Sequence, residues 1–101
     1  MEFKDLKFEN NEWLGEQAFH IFDNYYGVSV VRGQYTHGGK KGLYELAVIH
    51  MGPEDKESRI MYDTPITSDV IGHLTPLGVT KVMKEVSELP LRKTNAITVG
   101  S

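Results

Sequence analysis

The sequence predicts an α+β domain in which an antiparallel meander of about four strands carries one C-terminal amphipathic helix on one face. Two observations predict this class. Short apolar runs separated by Gly, Pro and Asn turns recur between residues 18 and 63, as expected for antiparallel strands. A single stretch near the C-terminus changes to a 3.6-residue period, and a small sheet needs such a helix to cover its apolar face.

The helix is predicted from the spacing of its apolar residues. They fall at i, i+3, i+4 and i+7, which is one stripe of a helix, and they are Val79, Val82, Met83 and Val86. Thr75 followed by Pro76 is a start signal, because a hydroxyl accepts a hydrogen bond from an unpaired backbone N–H and proline suits the first helical turn. Pro90 ends the helix, since its ring disfavours helical geometry at the preceding residue.

Before the helix, the sequence predicts strands separated by turns. Residues 18–23 and 27–32 form a hairpin, because a turn that ends in a glycine, residues 24–27, separates them. Residues 43–51 are the longest apolar strand and are expected at the centre of the sheet. Residues 58–63 are expected to return beside it as the last strand.

Three further segments have weaker patterns. Residues 3–9 alternate weakly and are expected to form a short first strand or an ordered arm. Residues 69–74 are expected to form one short helical turn before the main helix. A single domain is predicted for residues 1–90, and residues 91–101 form a tail that is either disordered or an edge strand.

Length and composition restrict the function classes. The chain has 101 residues, enough for one domain with a modest core, and no cysteine, which excludes disulfides and thiolate metal sites. No apolar run approaches the ~20 residues of a membrane span, and the N-terminus lacks the apolar centre of a signal peptide. A cytoplasmic protein that does not bind membranes is therefore expected. The net charge of −3 disfavours nonspecific nucleic-acid binding.

The sequence contains no motif for catalysis, metal or cofactor binding. The histidines lack the helical or His-x-Glu spacing of zinc sites, and they are His20, His37, His50 and His73. Ser29 lies in Val-Ser-Val rather than in a nucleophile elbow. Asp63 and Asp69 flank a Thr-Pro-Ile-Thr-Ser corner, where they are better explained as capping groups. No catalytic residue, metal site or cofactor is predicted, and the chain is not expected to be an enzyme.

Residues 33–42 contain four glycines and the neighbouring Lys40 and Lys41. Glycine amides with lysines can hold a phosphate, but the segment lacks P-loop spacing and leads into a strand rather than a helix. A mobile connection between strands is expected. As a surface for a protein partner the loop is more credible, because Tyr35, His37 and the two lysines lie between rigid strands.

A partner-binding surface is predicted from aromatic and basic residues assigned to loops. These residues are Trp13, Tyr25, Tyr26, Tyr35, His37, Lys40 and Lys41. Trp13 has two interpretations, since a loop tryptophan either anchors a partner or packs on the core of its own domain. The packed interpretation is favoured from the sequence.

Two segments resemble a family of small, mostly uncharacterised proteins of tailed bacteriophages. They are NYYGVSVVRGQYTHGGKKGLYELAVI (residues 24–49) and YDTPITSDVIGHLTPLGVTKVM (residues 62–83), and together they cover about half of the chain. In that family the motifs NGYGVSVV, GG..GLYELAV and YDTPIT.DVIG.L recur, and Tyr25-Tyr26-Gly27 departs slightly from the first. The resemblance implies a protein made in an infected bacterium that binds and redirects host proteins. It assigns no activity and no functional residue.

These observations together predict a phage accessory protein that binds and modulates a host protein without catalysis. One alternative is a small-ligand or nucleotide binder that uses residues 33–42. A second is a homo-oligomeric structural component, such as a homodimer, because an unpaired edge strand favours self-association. Nucleic acid is a less favoured partner, since the acidic balance opposes the basic and aromatic residues of the glycine-rich loop.

Overall fold

The structure, a computed structural model, describes residues 1–67 and 69–94. Within these residues, six strands form one antiparallel sheet, and a 12-residue helix packs on one of its faces. The strands are β1 (Glu9–Asn11), β2 (Gly15–Ile21), β3 (Tyr26–Arg32), β4 (Tyr44–His50), β5 (Arg59–Ile60) and β6 (Ile71–Leu74), and the helix is α1 (Pro76–Ser87). No helix in this part of the chain has the length and apolar character needed to cross a membrane.

Strands β1 to β5 are consecutive antiparallel neighbours, and β2 to β5 correspond to the four strands of the predicted meander. The outer edge of β4 is shared by two short strands. Strand β5 pairs with the last two residues of β4, Ile49 and His50, and β6 pairs with Tyr44 and Leu46 of β4. The predicted α+β class is confirmed, and the sheet has more strands than the four predicted because β4 has two short neighbours and β1 precedes the main hairpin.

Two local predictions differ from the structure, and of the two alternatives for the N-terminal segment the structure shows the ordered arm. This arm begins with a 3-10 turn, Phe3–Asp5. The last strand predicted over residues 58–63 is reduced to β5. Residues 69–74 contain β6 instead of a helical turn. Pairing with the open edge of β4 satisfies the backbone groups of β6, and this tertiary contact overrides the local capping pattern.

Helix α1 begins where the sequence predicts. The hydroxyl of Thr75 accepts a hydrogen bond from the backbone N–H of Gly78, at 3.1 Å. Three members of the predicted apolar stripe are almost completely buried, namely Val79, Met83 and Val86. The fourth, Val82, is partly buried and packs at the margin of the core. The spacing therefore identified the face of α1 that meets the sheet.

The hydrophobic core lies between α1 and one face of the central strands. Alternate residues of β2, β3 and β4 point toward the helix, and those that are buried include Ala18, Val28, Val30, Leu46 and Val48. The N-terminal arm closes one side of this core. The ring of Phe3 lies 4.9 Å from that of Tyr44, and the backbone N–H of Phe3 donates to the hydroxyl of Thr80 on α1.

The buried side chain of Asn24 connects the two layers. Its Nδ2 donates to the carbonyls of Val86 and Leu89, each at 2.9 Å, and its Oδ1 accepts from the backbone N–H of Tyr26. The last carbonyls of a helix have no intrahelical partner. One amide therefore satisfies the end of α1 and fixes the first residue of β3.

Residues 91–94 follow the helix along the same end of the sheet. The backbone N–H of Arg92 donates to the carbonyl of Asn24, and its carbonyl oxygen lies 2.6 Å from Nε2 of the buried His50. The carbonyl of Lys93 lies directly against Gly52, where a Cβ would overlap it. The rest of the predicted tail, residues 95–101, lies outside the described residues, and so the choice between an edge strand and disorder is not decided there.

Replacing Met83 by alanine should lower the free energy of unfolding by about 2–5 kcal/mol, because it removes a buried side chain from the interface between helix and sheet. Urea unfolding followed by circular dichroism measures this. Leu77→Ala is the control on the same helix, because Leu77 is exposed, and it should change stability by less than about 0.5 kcal/mol. Equal effects of the two substitutions would contradict the assigned buried face.

Asn24→Ala should lower the free energy of unfolding by more than about 2 kcal/mol, because it removes three hydrogen bonds to backbone groups at the helix–sheet junction. The same urea titration measures the loss. Asp23→Ala changes the exposed neighbour in the same turn and should have little effect. A small loss for Asn24→Ala would show that the amide does not connect the layers.

Candidate functional site

The β1–β2 turn (residues 12–14) and the β3–β4 loop (residues 33–43) lie at the same end of the sheet, because alternate connections of an antiparallel meander emerge on the same side. We call these residues the loop end. Their backbones are in contact at the base, where Leu14 and Gly15 meet Arg32 and Gly33. A Cβ on Gly15 would lie 2.7 Å from the Cα of Gly33, and Gly15 has a φ of 82°. The two connections therefore form one continuous surface.

Two aromatic side chains extend into solvent from the loop end. Trp13 is 82% exposed and Tyr35 is 80% exposed. The favoured prediction that Trp13 packs on the core is wrong. The side-chain oxygen of Asn11 accepts hydrogen bonds from the backbone N–H groups of Trp13 and Leu14, at 2.9 and 3.1 Å, and this tight turn ties down the backbone that carries the exposed indole.

The β3–β4 loop is a folded, hydrogen-bonded segment, whereas a mobile connection was expected. The hydroxyl of Thr36 accepts from the N–H of Gly33 and donates to its carbonyl, each at 2.9 Å. A 3-10 turn, Gly39–Lys41, follows, flanked by glycines with positive φ. The carbonyl of His37 accepts from the backbone N–H of His73, so the loop is also tied to β6.

Most backbone N–H groups of the β3–β4 loop donate hydrogen bonds to acceptors of the protein itself. The N–H groups of residues 33–42 that donate to protein acceptors are those of Gly33, Thr36, His37, Gly39, Lys41 and Gly42. A phosphate cradle needs successive N–H groups directed at the ligand. This use of the amides weighs against the nucleotide-binding alternative.

The positive charges of the loop end divide into two groups. The guanidinium of Arg32 is engaged, because it pairs with Glu16 at 2.9 Å and lies 4.8 Å from the ring centroid of Tyr44. Lys40 and Lys41 are exposed and form no ion pair with any residue in the described part of the chain. These two ammonium groups are therefore available to an external partner.

The structure separates the seven predicted binding residues into two groups. At the loop end it brings together Trp13, Tyr35, His37, Lys40 and Lys41. Tyr25 and Tyr26 lie at the opposite end, in and beside the β2–β3 turn. The prediction that Tyr26 is an exposed loop residue is wrong: it is the first residue of β3, is only 8% exposed, and packs edge-on against His50 with ring centroids 5.0 Å apart. Tyr25 is half-buried, with a φ of 70°.

The four histidines do not form one cluster, although a backbone hydrogen bond joins His37 and His73. The ring of His20 contacts Phe22, whereas His50 lies in the core with its Nδ1 3.7 Å from the carboxylate of Asp55. Within residues 1–67 and 69–94, no three His, Asp or Glu side chains form a group that could hold a metal ion. The buried His50 ties the segment after the helix to the sheet, and this role was not apparent from the sequence.

Comparison with protein-family models, with curated proteins and with solved structures found no match. The resemblance to phage proteins therefore rests on the sequence motifs alone. The loop end is the candidate functional site because exposed aromatic and basic side chains lie at one end of the sheet on hydrogen-bonded connections.

Thr36→Val should increase the hydrogen-exchange rates of the Gly33 and Gly39 amides by about 5- to 30-fold, because the loop loses two hydrogen bonds of about 1 kcal/mol each. Amide exchange followed by NMR measures this. Thr36→Ser keeps the hydroxyl and should preserve the slow exchange. Unchanged protection in the valine variant would mean that Thr36 does not organise the loop.

Proposed function

We propose that this protein is a small phage accessory protein that binds and modulates a host protein in the bacterial cytoplasm, without catalysis, through the loop end. The supporting observation is the pair of exposed rings, Trp13 and Tyr35, on two hydrogen-bonded connections that share one base. Large exposed aromatic side chains are the residue types that most often dominate protein interfaces.

The energies are consistent with an anchoring role for the two rings. Burial of most of both side chains on a partner would be worth roughly 5–8 kcal/mol before the costs of association. The costs of association are of similar size. The two rings are therefore effective anchors only when binding orders few additional groups. The hydrogen bonds of Asn11 and Thr36 already order the backbone on which the rings stand.

The lysines indicate the character of the partner surface. Lys40 and Lys41 lie in the same loop as Tyr35, and neither is neutralised by a described acidic residue. A partner surface that places acidic side chains beside an apolar cavity would complement this arrangement and would associate faster at low salt.

Trp13→Ala and Tyr35→Ala should each reduce recovery of the partner from a lysate of the bacterial host by at least about 10-fold, since anchor residues contribute about 2 kcal/mol or more. The measurement is affinity capture with the tagged protein, followed by quantification of the captured host protein.

The matched control is Tyr62→Ala, because Tyr62 is also an exposed aromatic residue but lies outside the loop end. It should leave recovery unchanged, and circular dichroism should show that all three variants are folded. Equal recovery by the wild-type protein and both loop-end variants would refute the proposal.

A further inference from the structure

The sheet face opposite α1 carries a line of hydrogen-bonded polar side chains. Because Ala18 points into the core, its neighbours Gln17 and Phe19 point to the other face of β2. The Nδ2 of Asn11 donates to Oε1 of Gln17, and the Nε2 of Gln17 donates to the hydroxyl of Ser29, each at 3.2 Å. The line crosses β1, β2 and β3, and it fixes the orientation of the Gln17 amide.

An exposed aromatic ring adjoins this polar line. Phe19 follows Gln17 by two residues on the same face, about 7 Å away along the strand. It is 59% exposed and lies opposite Ser29 in the register, so a small residue stands beside the ring. The core does not include Phe19. The phenyl ring, on the part of β2 beyond its pairing with β1, is therefore presented to solvent beside fixed amide groups.

A shallow depression of about 360 Å³ lies at this position, between β1 and β2. Its lining combines amide, charged and aromatic side chains, and the residues are Lys7, Glu9, Asn10, Asn11, Gln17 and Phe19. Lys7 and Glu9 form no ion pair within the described part of the chain. The depression thus offers planar donors and acceptors, one carboxylate and one ammonium around an aromatic ring.

We propose that this depression is a saccharide-binding site. The amides of Asn11 and Gln17 each keep a second N–H for a ligand, and amides and carboxylates match the paired hydroxyl groups of a sugar ring. The exposed ring of Phe19 packs against the apolar C–H face of a pyranose. Because the amides are already oriented by one another, binding orders few additional side chains.

Other ligand classes fit the lining less well. A phosphate group would meet the carboxylate of Glu9 as well as the ammonium of Lys7, so the charge of the lining gives it no net attraction. A divalent cation would find a single carboxylate among the six lining residues. A hydroxylated, uncharged ring uses the amides, the charged groups and the aromatic surface at the same time.

The test is an NMR titration of the full chain with eight probes. They are glucose, galactose, mannose and N-acetylglucosamine, and one disaccharide built from two units of each. At least one should produce saturable shifts in the side-chain amide signals of Asn11 and Gln17 and in the backbone signal of Phe19. Phe19→Ala should weaken that binding by at least about 10-fold, and the variant is expected to fold because the ring lies outside the core.

Tyr35→Ala is the control, because Tyr35 belongs to the loop end but is not among the residues that line the depression, and the variant should leave sugar binding unchanged. This separates the saccharide site from the proposed host-protein surface, so either can fail while the other stands. The inference is overturned if none of the probes gives saturable shifts at these residues, or if Phe19→Ala binds the sugar as well as the wild-type chain does.

Discussion

Three hydrogen bonds made by the amide of Asn24 hold the end of helix α1 against the start of strand β3. The helix needs this support, because it contains three valines and a glycine and has low intrinsic propensity. Two further polar contacts support it. The hydroxyl of Thr75 caps its first turn, and the hydroxyl of Thr80 accepts a hydrogen bond from the backbone N–H of Phe3 in the N-terminal arm. Polar groups at defined points therefore position the helix, and the valine and methionine side chains supply the buried area.

The two ends of the sheet have different roles. One end is closed by buried polar contacts, in which Asn24 and His50 hold the segment that follows the helix. The loop end places aromatic and basic side chains in solvent on connections with their own hydrogen bonds. This division is consistent with the proposed binding role, in which the framework would provide the order needed for recognition without itself contacting the partner.

Local patterns were sufficient to predict α1 and the main hairpin, because both are encoded by residues close together in the sequence. These are the apolar stripe of α1 that begins at Val79 and the turn that ends at Gly27. The errors arose where a distant contact decides the outcome. Strand β6 forms because the edge of β4 is open to it, and Tyr26 is buried because β3 starts at that residue. Trp13 is exposed in a turn whose backbone N–H groups donate to the side-chain oxygen of Asn11, and composition does not reveal this arrangement. The meander itself could have predicted that Trp13 and Tyr35 share one end.

The contact between Gly15 and Gly33 restricts how the loop end can change over generations of sequence variation. Any side chain at Gly15 or Gly33 would force the connections apart. Positions at the tips, such as Glu12 and Gln34, are solvent-exposed, and exposed substitutions usually cost little stability. Diversity can therefore accumulate at the outermost positions while the base keeps its geometry. The side chains displayed at the loop end can therefore change without rebuilding the domain.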